Sequence, residues 1–273
     1  IILRKKNYLF VDGRYSIQAE KECAKEFEII NLNKIQNCKL FKNLVLGLDP
    51  KLFTFKQINN FFKKYNKIKE IEKNLIDSIY NNYLYKSKPF FSLSEKIVGE
   101  SHLIKIKKTA SIIKKNKANY LFITAPENVA WLLNIRGNDN PNSPIPNCRL
   151  IIDSNKEIFL VCEKIKAQNL IKEKKIKKKN LILPNNFKSL IKKLKKKRII
   201  IDEKSCSLFY ENILKKRFLI INKVDPIYLM KSIKNKVEID YMINSHIFDG
   251  IALTKFLYWI KNKNKKEINE YQA

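Results

Sequence analysis

The chain has 273 residues, 45% hydrophobic and 30% charged, a globular composition with length enough for two domains that each bury a core. Its formal charge is +30, yet 50 of the 56 basic residues are Lys and six are Arg. Nucleic-acid sites concentrate Arg forks, so the excess fits a lysine-decorated surface better than a dedicated polyanion site, although weak salt-sensitive polyanion binding follows from the charge alone.

In chain order, Ile1 to Val11 is β-prone around the turn Arg4-Lys5-Lys6-Asn7 and reads as a hairpin ending in Asp12-Gly13. Tyr15 to Phe27 follows as a helix. Val45-Leu46-Gly47-Leu48 is a short buried strand stopped by Pro50, and Phe55 to Tyr65 an amphipathic helix. Residues 81 to 98, with Pro89 and several Ser, read as a linker. Beyond it Leu103, Ile106, Ala110 and Ile113 share one helical face, and Asn119 to Thr124 is a strand.

Asn128 to Ile135 reads as a short helix and Arg136 to Pro146 as an Asn- and Pro-rich loop. Arg149 to Ile152 and Ile158 to Cys162 pair as a hairpin across Asp153-Ser154-Asn155. Lys164 to Lys197 is expected to be two surface helices around a Leu181-Ile182-Leu183 strand, with another strand at Arg198 to Ile201. Tyr228 to Ile260 is a long apolar helical run, broken at Lys231 to Lys236 and broad enough in its apolarity to imply burial on several sides. The opening Ile1 and the uncapped ending at Ala273 lead to the expectation of a piece of a longer chain.

Catalytic signatures are scarce. There is no Gly-rich phosphate loop, no GxSxG elbow and no HExxH. Of the two histidines, His102 sits beside Ser101 at a helix start, where a capping or surface role is expected. His246 has Asp249 three residues on, within reach of one hydrogen bond on a buried helix, which favours a structural role. The 26 acidic residues form no visible set of converging metal ligands. Five scattered cysteines, Cys23, Cys38, Cys148, Cys162 and Cys206, form no CxxC pair and no zinc spacing, which suits a reducing compartment. No signal-peptide pattern opens these 273 residues and they hold no uninterrupted apolar run of about 18 residues, so neither membrane insertion nor export is suggested.

Several stretches together resemble the three-domain Xaa-Pro aminopeptidases (aminopeptidase P) of the creatinase/prolidase, or pita-bread, superfamily. Phe10-Val11-Asp12-Gly13-Arg14-Tyr15 is similar to a first-domain DGRY signature. Thr124 to Gly137, TAPENVAWLLNIRG, is similar to the second-domain pattern TALDxIAWLLNIRG, with Asp139 and Pro144 where it continues; Ser143 departs from the family's Asn before Pro. Lys231-Ser232-Ile233-Lys234-Asn235 with Glu238, then Ser245-His246-Ile247-Phe248-Asp249-Gly250, is similar to the motif that opens the catalytic domain.

The resemblance implies an α/β fold: two creatinase N-terminal-like domains, each a mixed sheet flanked by helices, then the first helix of a pita-bread catalytic domain. The expected divisions are 1–82, a linker over 83–98, 99–224, and 225–273. It implies the non-catalytic portion of a peptidase that releases an N-terminal residue preceding proline from short peptides, as a cytoplasmic homodimer. Two divalent cations, commonly manganese, serve the complete enzyme, but their two Asp, one His and two Glu ligands lie past residue 273, so no catalytic or metal residue is assigned here. Arg14 matches an arginine that reaches the substrate, and a surface role is equally open to it. A stand-alone binding or regulatory module of the same fold is the alternative, with a basic nucleic-acid binder behind it.

Overall fold

The computed structural model describes residues 1–37, 42–63, 66–80, 87–195, 197–263 and 269. The elements fall into two units, one of Ile1–Leu84 with Ile201–Val224 and the other of Tyr85–Ile200 with Asp225–Ala273. In the first unit the opening turn is closed by two backbone bonds between Ile1 and Tyr8, at 2.7 and 2.8 Å. Strand β1 (Asn7–Val11) then pairs in parallel with β2 (Phe27–Asn31) across helix α1 (Ser16–Glu22). The helix expected over Tyr15 to Phe27 therefore ends early. Cys23 is extended, at φ −77° and ψ 139°, and the Ile29-Ile30 pair suits a strand, because branched side chains lose rotamer freedom in a helix.

Strand β3 (Val45–Leu48) pairs in parallel with β4 (Lys67–Glu70). Of β3 only Leu48 is buried, so the strand is less enclosed than its apolar letters imply. Between the two, α2 (Phe55–Ile58) opens on a capping box in which Thr54 accepts from Gln57 N–H and Gln57 accepts from Thr54 N–H, and it widens into a π-turn over Asn59–Lys63. Helix α3 (Leu75–Ile79), capped by Asn74, ends this stretch. Phe53 and Phe62 meet edge to face at 5.8 Å within a core that includes Ile35.

The second unit runs β5 (Phe91–Ser92), α4 (Glu95–Val98), α5 (His102–Lys115), β6 (Tyr120–Ile123), α6 (Pro126–Leu133) and β7 (Ile135–Arg136). It continues through β8 (Arg149–Asp153), β9 (Ile158–Val161), α7 (Gln168–Lys172), β10 (Leu181–Ile182), α8 (Phe187–Lys193) and β11 (Arg198–Ile201). Strands adjoin in the order β10-β9-β8-β6-β11. The β9–β8 and β8–β6 pairs are antiparallel and the two outer pairs parallel, which makes the sheet mixed. All four residues of β6 are buried, as a strand covered on both faces requires.

Helix α5 buries Lys105, Ile106, Thr109, Ala110 and Ile113 and leaves Leu103 at the surface. The expected face was right for its last three members, and a lysine replaces leucine at its N-terminal end. Phe90 is fully buried, and its N–H donates to the Lys166 carbonyl oxygen at 2.8 Å. Next to it, β5 pairs antiparallel with β7.

No element is expected over residues 202–224, yet this part of the first unit holds α9 (Leu208–Lys215) and β12 (Leu219–Asn222). Leu208 joins Leu48 and Ile58 in a small core, and its N–H donates to the Phe53 carbonyl oxygen at 2.8 Å. The last two helices, α10 (Ile227–Ser232) and α11 (Lys236–Asn262), belong to the second unit and are separated where the lysine-rich turn indicates. Helix α11 starts at Asn235, which with Glu238 forms a capping box. Burial on several sides was expected for this helix; none of its residues is buried, and Ile243, Ile247, Phe248 and Leu253 are all more than half exposed.

Candidate functional site

The signature segment folds as α6, β7 and the loop that leads into β8. Pro126 occupies the first turn of α6, where its missing N–H has no partner to lose, and Asn134 ends the helix in the left-handed region at φ 52°, a conformation Asn tolerates. The Asn134 amide is buried and used at both ends. Its Nδ2 donates to the Glu100 carbonyl oxygen at 2.8 Å, and its Oδ1 accepts from Lys105 Nζ at 2.7 Å.

Lys105 is 1% exposed. Its ammonium also donates to the Trp131 carbonyl oxygen at 3.1 Å and stands 4.0 Å from the centre of the Trp131 ring. A cation at the C-terminal end of a helix meets carbonyl oxygens that have no partner within the helix. Burial depresses the Lys105 pKa to about 8, against an opposing pull from Glu238 and Glu100. No pattern in the sequence marked this lysine, which falls among Lys107 and Lys108 on the same helix.

At the other side of α6, Asn128 is fully buried. Its Nδ2 donates to Asp225 Oδ2 and its Oδ1 accepts from Lys231 Nζ, both at 2.7 Å, while Tyr228 Oη donates to Glu127 Oε1 at 3.0 Å. One helix thus fixes α10 through its first turn and α5 through its last.

The loop past β7 is held at its base and open at its tip. Gly137 N–H donates to the Pro144 carbonyl oxygen at 2.9 Å, and a Cβ at Gly137 would sit 2.8 Å from Pro146 Cα and 3.2 Å from the Phe90 ring, so only glycine permits the approach. Asp139 receives Lys166 Nζ at 2.6 Å on one oxygen and the Asn147 N–H at 2.6 Å on the other, and both members of the ion pair are largely buried. Beyond these anchors Asn138, Asn140, Pro141, Asn142, Pro144 and Ile145 face solvent. Ser143 is half-buried and donates its N–H to Asn140 at 3.4 Å. The exposed stretch offers amides and carbonyls for recognition, without a nucleophile and base side by side. Half-buried Arg136, which donates to its neighbour's carbonyl oxygen at 2.8 Å, flanks it.

Arg14 lies in the first unit, in the short 3₁₀ turn Gly13–Tyr15. Its guanidinium lies 2.9 Å from Asp12 Oδ1 and 5.8 Å from the Tyr15 ring centre, with the side chain 80% exposed. This bond holds the Asp12 carboxyl below its usual pKa. Ser101 caps α5 by accepting from Ile104 N–H, and adjacent His102 is half-buried with a lowered pKa, first from desolvation and then from nearby Lys175. His246 is exposed, and its Nδ1 lies 2.8 Å from the Met242 carbonyl oxygen, so its partner is the helix backbone one turn back rather than the Asp249 side chain. Among the described residues no three His, Cys, Asp or Glu side chains converge on a metal position. The described residues therefore do not fit a pair of divalent cations. No helix among the described residues is long and apolar enough to cross a membrane.

Comparison with known proteins places this geometry. The chain is 30% identical over its whole length to a probable Xaa-Pro aminopeptidase P of Laccaria bicolor, covering 46% of that protein. It is 28% identical to Xaa-Pro aminopeptidase 1 of Dictyostelium discoideum over 99% of the chain and 46% of the relative. The crystal structure of X-prolyl aminopeptidase from Caenorhabditis elegans, described as a cytosolic enzyme with a di-nuclear active site, superposes with a TM-score of 0.79 at 21% identity, over 95% of this chain and 46% of that one. The chain spans less than half the length of these relatives. The family model for the creatinase/prolidase N-terminal domain matches residues 81–238, from before β5 to the first turn of α11, and the chain belongs to that family.

Proposed function

We propose that residues 1–273 form the non-catalytic portion of a metal-dependent Xaa-Pro aminopeptidase, a scaffold that shapes access to a peptide site and cleaves nothing alone. The observation that carries this reading is the loop of residues 137–147, pinned at its base by Gly137 and by the Asp139–Lys166 pair and open at its tip. A stiff loop rich in amides and carbonyls orients an extended peptide without having to be ordered on binding. Whole-length similarity to Xaa-Pro aminopeptidases supports the substrate class, short peptides with proline second.

Under this reading the family division is a first creatinase-like domain over 1–82, a linker over 83–98, a second such domain over 99–224 and the start of a peptidase domain from 225, while in the fold residues 201–224 cluster with the first unit. Arg14, exposed in its turn, is the candidate substrate contact. The cation pair, which we take to be manganese, belongs with ligands other than those described here. A cytosolic homodimer is the assembly proposed, in keeping with what is said of the nematode enzyme's location. The test is to incubate the purified chain with an Xaa-Pro tripeptide and manganese. No release of the N-terminal residue is expected, and metal-dependent turnover that follows the protein through purification would refute the proposal.

A further inference from the structure

Two of the buried thiols stand opposite each other. The register of the β8–β9 hairpin pairs Arg149 with Val161 as its last step, so Cys148 and Cys162 face each other one step beyond. The kind of pair follows from the hydrogen bonds. Asp153 N–H donates to the Glu157 carbonyl oxygen at 2.9 Å, which makes 153/157 a hydrogen-bonded position. Antiparallel positions alternate in type, so 151/159 and 149/161 are hydrogen-bonded while 150/160 and 148/162 are not. Cys162 N–H agrees, since it turns away from β8 and donates to Ile182 at 3.1 Å.

In a non-hydrogen-bonded antiparallel pair the Cα atoms stand about 4.5 Å apart with both side chains on one face. Disulfides span Cα separations of about 4.4–6.8 Å, so a pair that continues the strand register with this spacing meets the requirement. Both cysteines are free and buried; Cys148 feels Cys162 as well as Asp139 and Lys166, and Cys162 feels Lys166 and Asp139. Burial lifts Cys162 to about 12 and Cys148 higher than its ordinary value, so neither thiol is a fast nucleophile in the folded chain.

We propose that Cys148 and Cys162 form a redox-responsive pair that closes into a disulfide, tying the open end of the β8–β9 hairpin where the loop of residues 137–147 enters the sheet. The chemistry is thiol–disulfide exchange with a small-molecule disulfide such as oxidised glutathione. One cysteine thiolate attacks the oxidant, releasing one glutathione thiol and forming a mixed disulfide. The second thiolate then displaces the other glutathione, so two protein thiols are oxidised and two glutathione thiols produced. Burial directs the reaction to moments when the hairpin end opens or during folding, and makes the bond, once formed, hard to reduce.

The test is to unfold the whole chain with its thiols reduced, refold it in a reduced/oxidised glutathione buffer, alkylate the remaining thiols and map the peptides. The expected result is one dominant bridge, Cys148 to Cys162, in a protein with unchanged far-ultraviolet circular dichroism, a Tm raised by a few degrees, and slower proteolysis within residues 138–147. Cys162→Ser should lose bridge and shift together while folding normally in reducing buffer. Dominance of another pairing among the five cysteines, or a 148–162 bridge found only in unfolded protein, would overturn the proposal.

Discussion

Asp139→Ala removes the carboxylate that meets Lys166 at 2.6 Å and also accepts the Asn147 N–H, in a place where the two side chains are only 12% and 8% exposed. Breaking a buried pair from one side leaves an uncompensated charge, which costs about 3–5 kcal/mol, and the lost backbone bond adds about 1 kcal/mol. Both tryptophans of the chain, Trp131 and Trp259, lie in the second unit, so indole fluorescence in urea follows that unit selectively. With a urea dependence of about 2 kcal/mol per M, a cost of about 4 kcal/mol, the low end of that sum, moves the midpoint down by about 2 M. The double variant Asp139→Leu with Lys166→Met removes both charges and should recover most of that loss. A single-variant shift below about 0.3 M, or a double variant no better than the single, would show that the pair does not hold the loop base.

Three further outcomes are expected. Lys105 has its folded pKa lowered to about 8 from 10.5, so between those values the unfolded chain binds more protons and this group's contribution to stability rises with pH. The buried thiols act with the opposite sign at high pH, because their folded pKa values are raised, so the quantity to measure is wild type minus Lys105→Met, which should climb from pH 8 to 10.5 by urea titration. Gly99→Ala places a Cβ 2.2 Å from Asn235 Oδ1 at a φ of 71°, and should fray the first turn of α11 in hydrogen exchange, with partial recovery on adding Asn235→Ser. Arg14→Ala, at an exposed ion pair, should leave the urea midpoint unchanged within error while weakening Xaa-Pro peptide binding in an enzyme that contains this chain.

The hairpin of β8 and β9 was legible because two short apolar runs are separated only by the polar stretch Asp153 to Glu157, and the break between α10 and α11 because a lysine-rich turn interrupts an apolar run. The signature helix was expected over Asn128 to Ile135, two residues late at each end of the observed Pro126–Leu133, and the loop after it was legible from the prolines at 141, 144 and 146. What stayed hidden was partnership. In a chain with 50 lysines, nothing local distinguishes Lys105 and Lys166 from neighbours that face solvent, because burial of an ammonium depends on carbonyls and carboxylates supplied from 26 to 29 residues away. The same holds for the facing cysteines, since strand register rather than sequence spacing makes 148 and 162 neighbours. The extent of α1 was misjudged because the helical period persists across Cys23, where the backbone turns extended.

The first unit is sewn from two stretches of chain, and this has a consequence for biosynthesis. Asn212 donates to Glu70 from 142 residues away, and Lys56 meets Glu203 across 147. Ribosomes deliver the amino-terminal stretch long before the segment that completes it, so Leu48 and Ile58 wait without Leu208 while more than a hundred intervening residues emerge. Those residues can collapse first and shorten the effective tether between the two halves, easing a closure whose entropic toll grows with the length of free chain. A nascent chain arrested before α9 would expose that unfinished core to chaperones and proteases.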